Sequence, residues 1–213
     1  MLTIKRFTCN MLAENCYVVS DETKEAVIID CGAMYQEEAT AITDYIASQS
    51  LKPVHLLCTH GHFDHCIGNG VIYKEYGLMP EVHINDKFLM DKMVGQTEEI
   101  IGVRISINVP PTGKYLSDKD IIEFGDHTFK IIHTPGHTPG GIVFYCEEEH
   151  TAFSGDTLFR MSIGRTDFER GSYEEMIRSL DELSRLPYET KVYPGHGPET
   201  TIGDEVRYNS YMR

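Results

Sequence analysis

The stretch Thr59-His60-Gly61-His62-Phe63-Asp64-His65 puts three histidines and one aspartate into six residues, directly after the apolar run Val54 to Cys58. Side chains two residues apart in an extended segment point to the same side. His60 and His62 therefore face one space if the strand runs on into them. A helix opening near Asp64 would turn that carboxylate and His65 back toward the same space. Neutral imidazole and carboxylate are the ligands that divalent zinc, iron and manganese prefer. The stretch reads as a metal-binding loop rather than a histidine-rich surface loop.

Three later segments repeat the arrangement. The strand expected at 128–133 runs into Thr134-Pro135-Gly136-His137-Thr138-Pro139-Gly140, and that at 151–153 runs into Ser154-Gly155-Asp156-Thr157. The strand expected at 190–193 runs into Pro194-Gly195-His196-Gly197-Pro198. With 54–58, four strands each end in a loop that carries an imidazole or a carboxylate. If those ends lie on one edge of the sheets, seven groups converge: His60, His62, Asp64, His65, His137, Asp156 and His196. Loops on a rigid scaffold are where sites are usually built. Glycines beside three of these groups (Gly136, Gly155, Gly195) allow close backbone approach, and flanking prolines stiffen two of the loops.

The remaining pattern supplies the scaffold. Residues 2–9 and 15–20 and the run Ala26-Val27-Ile28-Ile29 read as strands, the last ending at Asp30-Cys31-Gly32. Tyr35, Ala39, Ile42 and Ile46 fall on one face of a helix over 35–49. A second helix is expected from about Asp64 to Tyr76, stopped by Gly77, then a short strand at 81–84. Asn85 to Ile101 reads as helical, with Phe88, Leu89, Met93 and Ile100 as candidate buried positions. The loop Val109-Pro110-Pro111-Thr112-Gly113 is open to reading as a lid, a dimer contact or a surface insertion that merely packs. Strands are also expected at 121–124 and 142–145. Ser172 and Glu175 form a capping box for a helix whose apolar side is Met176, Ile177, Leu180, Leu183 and Leu186.

The chain of 213 residues is short enough for one domain spanning 1–213. Its net charge of −14 would repel a polyanion, so DNA and RNA are not expected partners. Six cysteines at 9, 16, 31, 58, 66 and 146 form no CxxC pair and read as reduced, buried thiols. The N-terminus has no apolar leader-like run, and no window approaches a membrane span. The expectation is a soluble cytoplasmic protein acting on a small molecule.

Taken together, the blocks His60-x-His62-x-Asp64-His65 with Gly68-Asn69, Thr134 to Gly140, Gly155-Asp-Thr-Leu-Phe159, Gly164-Arg-Thr-Asp167 and Pro194 to Pro198 resemble the metallo-β-lactamase-fold hydrolases. Within them the sequence is most similar to short, single-domain members of the glyoxalase II (hydroxyacylglutathione hydrolase) group. The resemblance implies an α+β, four-layer αββα sandwich with a two-metal site at one edge. It implies that His60, His62 and His137 hold the first metal, that Asp64, His65 and His196 hold the second, and that Asp156 bridges them. Two divalent ions are implied, zinc first and iron or manganese as alternatives. The implied reaction is hydrolysis of a small thioester such as S-lactoylglutathione by a metal-bridging hydroxide. Asp64 is a candidate to orient the attacking group, and Arg165 is a candidate for a substrate carboxylate or for an ion pair with Asp167 or Glu169. Classical glyoxalase II enzymes add a C-terminal helical region that supplies glutathione contacts, whereas only 17 residues follow His196 here.

Two other readings stand beside this one. A persulfide dioxygenase of the same superfamily uses a single iron held by two histidines and an aspartate. A non-catalytic metal or redox module is disfavoured by the full ligand set. His55, His83, His127, His133 and His150 lie outside the motifs and read as ordinary surface or core histidines. Cys66 reads as a small packing residue. Asp30 either supports the site from behind or merely ends a strand.

Overall fold

The computed structural model describes residues 1–104 and 108–212. In chain order the elements are β1 (Thr3–Cys9), β2 (Glu14–Ser20), β3 (Glu25–Ile29), α1 (Gln36–Ser48), β4 (Lys52–Leu57), α2 (Phe63–Cys66), α3 (Asn69–Tyr76) and β5 (Pro80–His83). A 3-10 turn at Ile84–Asp86 leads to α4 (Lys87–Asp91), α5 (Met93–Ile101) and β6 (Lys114–Leu116). Then come β7 (Ile121–Phe124), β8 (His127–His133), β9 (Ile142–Cys146), β10 (Thr151–Gly155), β11 (Leu158–Phe159) and β12 (Ser162–Ile163). The chain closes with α6 (Tyr173–Leu183), β13 (Lys191–Pro194), β14 (Thr200–Thr201) and α7 (Ile202–Tyr208).

Two six-stranded sheets form, ordered β1-β2-β3-β4-β5-β6 and β14-β13-β10-β9-β8-β7. The strands explain their own composition. Val27 and Ile29 of β3 enter the core between the sheets, while Ala26 and Ile28 pack under the helices on the opposite face. In β9, Ile142 and Phe144 face the first core, and Val143 and Tyr145 face α6. A strand covered on both faces needs a continuous apolar run rather than alternation. With α1 and α3 on one sheet and α6 and α7 on the other, the layers are helix, sheet, sheet, helix, as expected for this α+β sandwich. Among the described residues no helix is long and apolar enough to cross a membrane.

Several expectations need correction. The helix over 64–76 is two helices, broken at Ile67-Gly68, because the Gly68 N–H donates to Cys31 O at 2.8 Å instead of continuing a helix. A Cβ on Gly68 would lie 2.7 Å from Cys31 Sγ, so the approach requires glycine. The 85–101 helix is likewise split at Lys92, and Ile100 is exposed rather than buried. Tyr35 caps α1 from an exposed position, leaving Ala39, Ile42 and Ile46 as its buried face. The capping box of α6 forms only by half. Ser172 Oγ accepts from Glu175 N, but the Ser172 N–H donates to Gly136 O, a tertiary partner in the His137 loop. Gly77 ends α3 in the left-handed conformation, as expected.

Candidate metal centre

The seven groups predicted from spacing meet at one edge of the sandwich. His60, His62 and His137 offer nitrogens within 4.8 Å of one another, and so do the ligand atoms of Asp64, His65 and His196. Asp156 lies between the two triads. Its Oδ1 is 3.3 Å from His65 Nε2, and its Oδ2 is 3.4 Å from His137 Nε2 and 3.6 Å from His196 Nε2. Asp64 Oδ2 lies 3.3 Å from His196 Nε2 and 3.7 Å from His65 Nε2.

Local structure fixes each group. β4 delivers His60 and His62, and the N-terminus of α2 then turns Asp64 and His65 inward. The parallel pair β10 and β13 ends at Gly155 and Pro194, which brings Asp156 and His196 side by side. A Cβ on Gly195 would stand 2.4 Å from Asp156 Oδ1 and 2.6 Å from His65 Cε1, so the convergence depends on that glycine.

The far side of each ring decides which nitrogen faces the centre. His137 Nδ1 donates to Arg165 O at 2.7 Å and His196 Nδ1 donates to Leu12 O at 3.1 Å. His65 Nδ1 meets Asp30 Oδ2 at 3.0 Å. A carbonyl or carboxylate partner on Nδ1 holds the proton there and leaves the Nε2 lone pair free. His62 is turned the other way, with Nδ1 2.9 Å from His137 Nε2. Asp30 also accepts from Thr59 N at 2.7 Å and Thr59 Oγ1 at 2.6 Å, so it supports the cluster rather than merely ending β3.

Electrostatics separate the triads. Burial, helped by neighbouring imidazoles, lowers His60 far below its ordinary range and pushes His62 down to about 3. Burial also opposes charge on His65 and His196, but the carboxylates around them outweigh it and raise both. Asp64 and Asp156 are lowered: burial works against their charge, and the imidazoles around them, His65 first, together more than compensate. Three buried atoms that face the centre, His60 Nε2, His65 Nε2 and Asp156 Oδ1, make no hydrogen bond within the chain. Buried polar atoms are rarely left so, and two nitrogens with a carboxylate oxygen are a donor set that fits divalent metal ions.

A cavity of about 420 Å³ opens over the cluster, with apolar walls from Leu12, Ile100, Phe159 and Phe168. The Arg165 guanidinium reaches its rim but is engaged with Asp167, at 2.6 and 2.7 Å, and stacks 4.3 Å from the Phe168 ring centre. Its structural contribution is the backbone carbonyl that holds His137. The other histidines are accounted for locally. His55 pairs with Glu81, His127 with Asp21 and Glu149, His150 lies 3.8 Å from Glu189, and His83 stacks on His133. Cys66 is buried among Cys58, Phe63 and Met90.

The pattern of the metallo-beta-lactamase superfamily matches residues 10–196. The chain belongs to that superfamily. Hydroxyacylglutathione hydrolase GloC of Haemophilus influenzae is 35% identical over 209 residues, 93% of this chain and 92% of that protein. Among solved structures of superfamily relatives, the BLEG-1 B3 metallo-beta-lactamase superposes with a TM-score of 0.90 at 32% identity, covering 99% of both chains. TTHA1623 in a di-iron-bound form gives 0.85 at 34% identity, covering 97% of this chain and 99% of that one. ETHE1 from Myxococcus xanthus gives 0.79 at 26% identity, covering 98% and 83%.

Sequence reasoning missed Glu14, Asp86 and Gln96. Glu14 is fully buried, 4.0 Å from His65 Nδ1, in a strand whose next residue, Asn15, ties down the His196 loop through Pro194 O and Gly197 O. Asp86 and Gln96 bond to the backbone around His62. None of the three sits in a pattern that marks it.

Proposed function

We propose that this superfamily member is a binuclear metal-dependent hydrolase, a single domain that hydrolyses a small thioester, with S-lactoylglutathione the first substrate to test. The observation that carries the reading is the position of Asp156, whose two oxygens reach toward both triads. A carboxylate can bridge two cations, and an imidazole, with one free lone pair, cannot. In this assignment His60, His62 and His137 hold one ion, and Asp64, His65 and His196 hold the other. The pair of ions, when bound, would supply a water of lowered pKa and polarise the acyl carbonyl. Asp64 lies in the cavity wall beside Asp156, where its carboxylate can orient the attacking group. Leu12, Ile100, Phe159 and Phe168 offer the acyl group an apolar wall. A thiolate leaving group needs little protonation, which suits a cavity whose imidazoles, His62, His137 and His196, are all assigned to the ions.

Zinc is the first choice, and iron fits the same donors, as the similarity to a di-iron protein underlines. The six unpaired buried cysteines support a reducing, cytoplasmic compartment. The net charge of −14 argues against nucleic acid as a partner.

The test is thioester hydrolysis by metal-loaded protein beside oxygen uptake on glutathione persulfide. Hydrolysis that disappears in Asp156→Ala supports the proposal. Hydrolysis that persists in that variant contradicts it. Oxygen uptake with one iron per chain would favour the mononuclear persulfide dioxygenase instead.

A further inference from the structure

The segment between β5 and β6 carries no motif in the sequence, where its loop is open to reading as a lid, a dimer contact or a packing insertion, yet two of its polar side chains are buried against the metal loops. Asp86 is 0% exposed and Gln96 is 3% exposed. The Asp86 carboxylate accepts from Gly61 N at 2.9 Å, from Thr138 Oγ1 at 2.7 Å and from Gly140 N at 2.7 Å. Gly61 separates His60 from His62, and Thr138 follows His137. One carboxylate therefore joins the two loops that carry the first triad. Gln96 closes the loop from the other side. Its Oε1 accepts from Phe63 N at 3.1 Å, and its Nε2 donates to Gly61 O at 3.0 Å and to Leu89 O at 2.8 Å.

We infer that Asp86 and Gln96 are positioning residues for the first triad, setting the His60–His62 loop against the His137 loop so that three imidazoles meet at one ion. The inference rests on the two-metal reading. The peptide units around His62 are fixed on both sides: the Gly61 N–H by Asp86, and the Gly61 carbonyl and Phe63 N–H by Gln96. Fit is tight as well, since a Cβ on Gly61 would lie 2.8 Å from Leu89 Cβ and one on Gly140 would lie 2.5 Å from the Asp86 carboxylate. The second triad draws on other supports: Asp30 holds His65 and Leu12 O holds His196. Loss of either positioning residue should therefore loosen one metal and spare the other. A residue that merely filled space would affect both alike.

The experiment measures zinc stoichiometry and affinity of the full chain by competition with a chromophoric chelator, for wild type, Asp86→Asn and Gln96→Ala. Ring N–H signals of the cobalt-loaded proteins identify which ion is weakened. Phe129→Leu, a substitution in the core between the sheets, controls for lost stability. The expected result is two ions on wild type, one of them weakened about 10–100-fold in each variant. The signals lost should be those of the three-histidine site, and Phe129→Leu should keep both affinities. Gln96→Ala gives an answer even if Asp86→Asn fails to fold. Unchanged affinities in the variants, or equal weakening of both ions, overturns the inference while leaving the hydrolase reading intact. A wild type that binds fewer than two ions removes that reading and the inference with it.

Discussion

His60, His62 and His137 form a triad of imidazoles alone, buried at 2%, 5% and 4% exposure, held from outside by Asp86, Gln96 and the carbonyl of Arg165. Asp64, His65 and His196 sit in an acidic setting instead. Glu14, Asp30, Asp64 and Asp156 crowd the fully buried His65, and His196 keeps 24% of its side chain exposed. Without a cation, burial favours the neutral rings of His60 and His62. The second gathers four carboxylates around two histidines. Burial raises Glu14 well above the usual carboxylate range, with the His65 charge opposing it. The same metal chemistry is thus prepared in two ways: one half by shape, the other by charge.

The largest effect should come from the group the halves share. Asp156→Ala is expected to lower thioester hydrolysis by at least about 10³-fold, since neither triad alone presents both the water and the carbonyl to the reaction. Steady-state kinetics at saturating metal check this.

Acid tests whether changes in either half reflect metal or fold, and metal-free protein isolates the fold. His83, buried against His133, is pushed down to about 4 by burial first and by its neighbour second. A histidine that stays neutral in the fold but takes a proton at about 6.5 when unfolded favours the unfolded chain once pH drops below that value. The contribution of His83 should therefore be complete above pH 6.5 and fall toward pH 4, by up to about 3 kcal/mol. Denaturant midpoints of wild type and His83→Phe at several pH values measure it as the difference between the two curves, because His60 and His62 also stay neutral in the metal-free fold.

A smaller effect grades the halves. Asp30→Ala removes the direct partner of His65 Nδ1 and also frees Thr59 beside His60, so it should weaken the second ion about 10–100-fold and the first ion less. Chelator competition reads both. The smallest effect is expected at the rim: Arg165→Ala should change KM by less than about fivefold, because the guanidinium is already engaged with Asp167 at the surface.

Much of this was legible in the chain. The strand-loop pattern delivers all seven groups, and the two-sided burial of β3 and β9 follows from their unbroken apolar runs. What escaped depends on partners remote in sequence. Asp86 finds Gly61 25 residues away and Gly140 54 residues away, and no local spacing announces either bond. The break at Gly68 exists because the Cys31 carbonyl captures its N–H, and Ser172 loses half its capping box to Gly136 O in the same manner. β6 was missed because a three-residue edge strand, Lys114-Tyr115-Leu116, has no apolar run of its own. Ile100 was misplaced because helical periodicity does not distinguish a core from the wall of a cavity.

The central claim, two ions divided between these triads, is tested most directly by anomalous X-ray scattering from crystals of the metal-loaded protein. The account predicts two peaks roughly 3.5–4 Å apart, one among His60, His62 and His137 and one among Asp64, His65 and His196, with Asp156 between them. A single peak at full metal loading, ligated by two histidines and an aspartate, would contradict it.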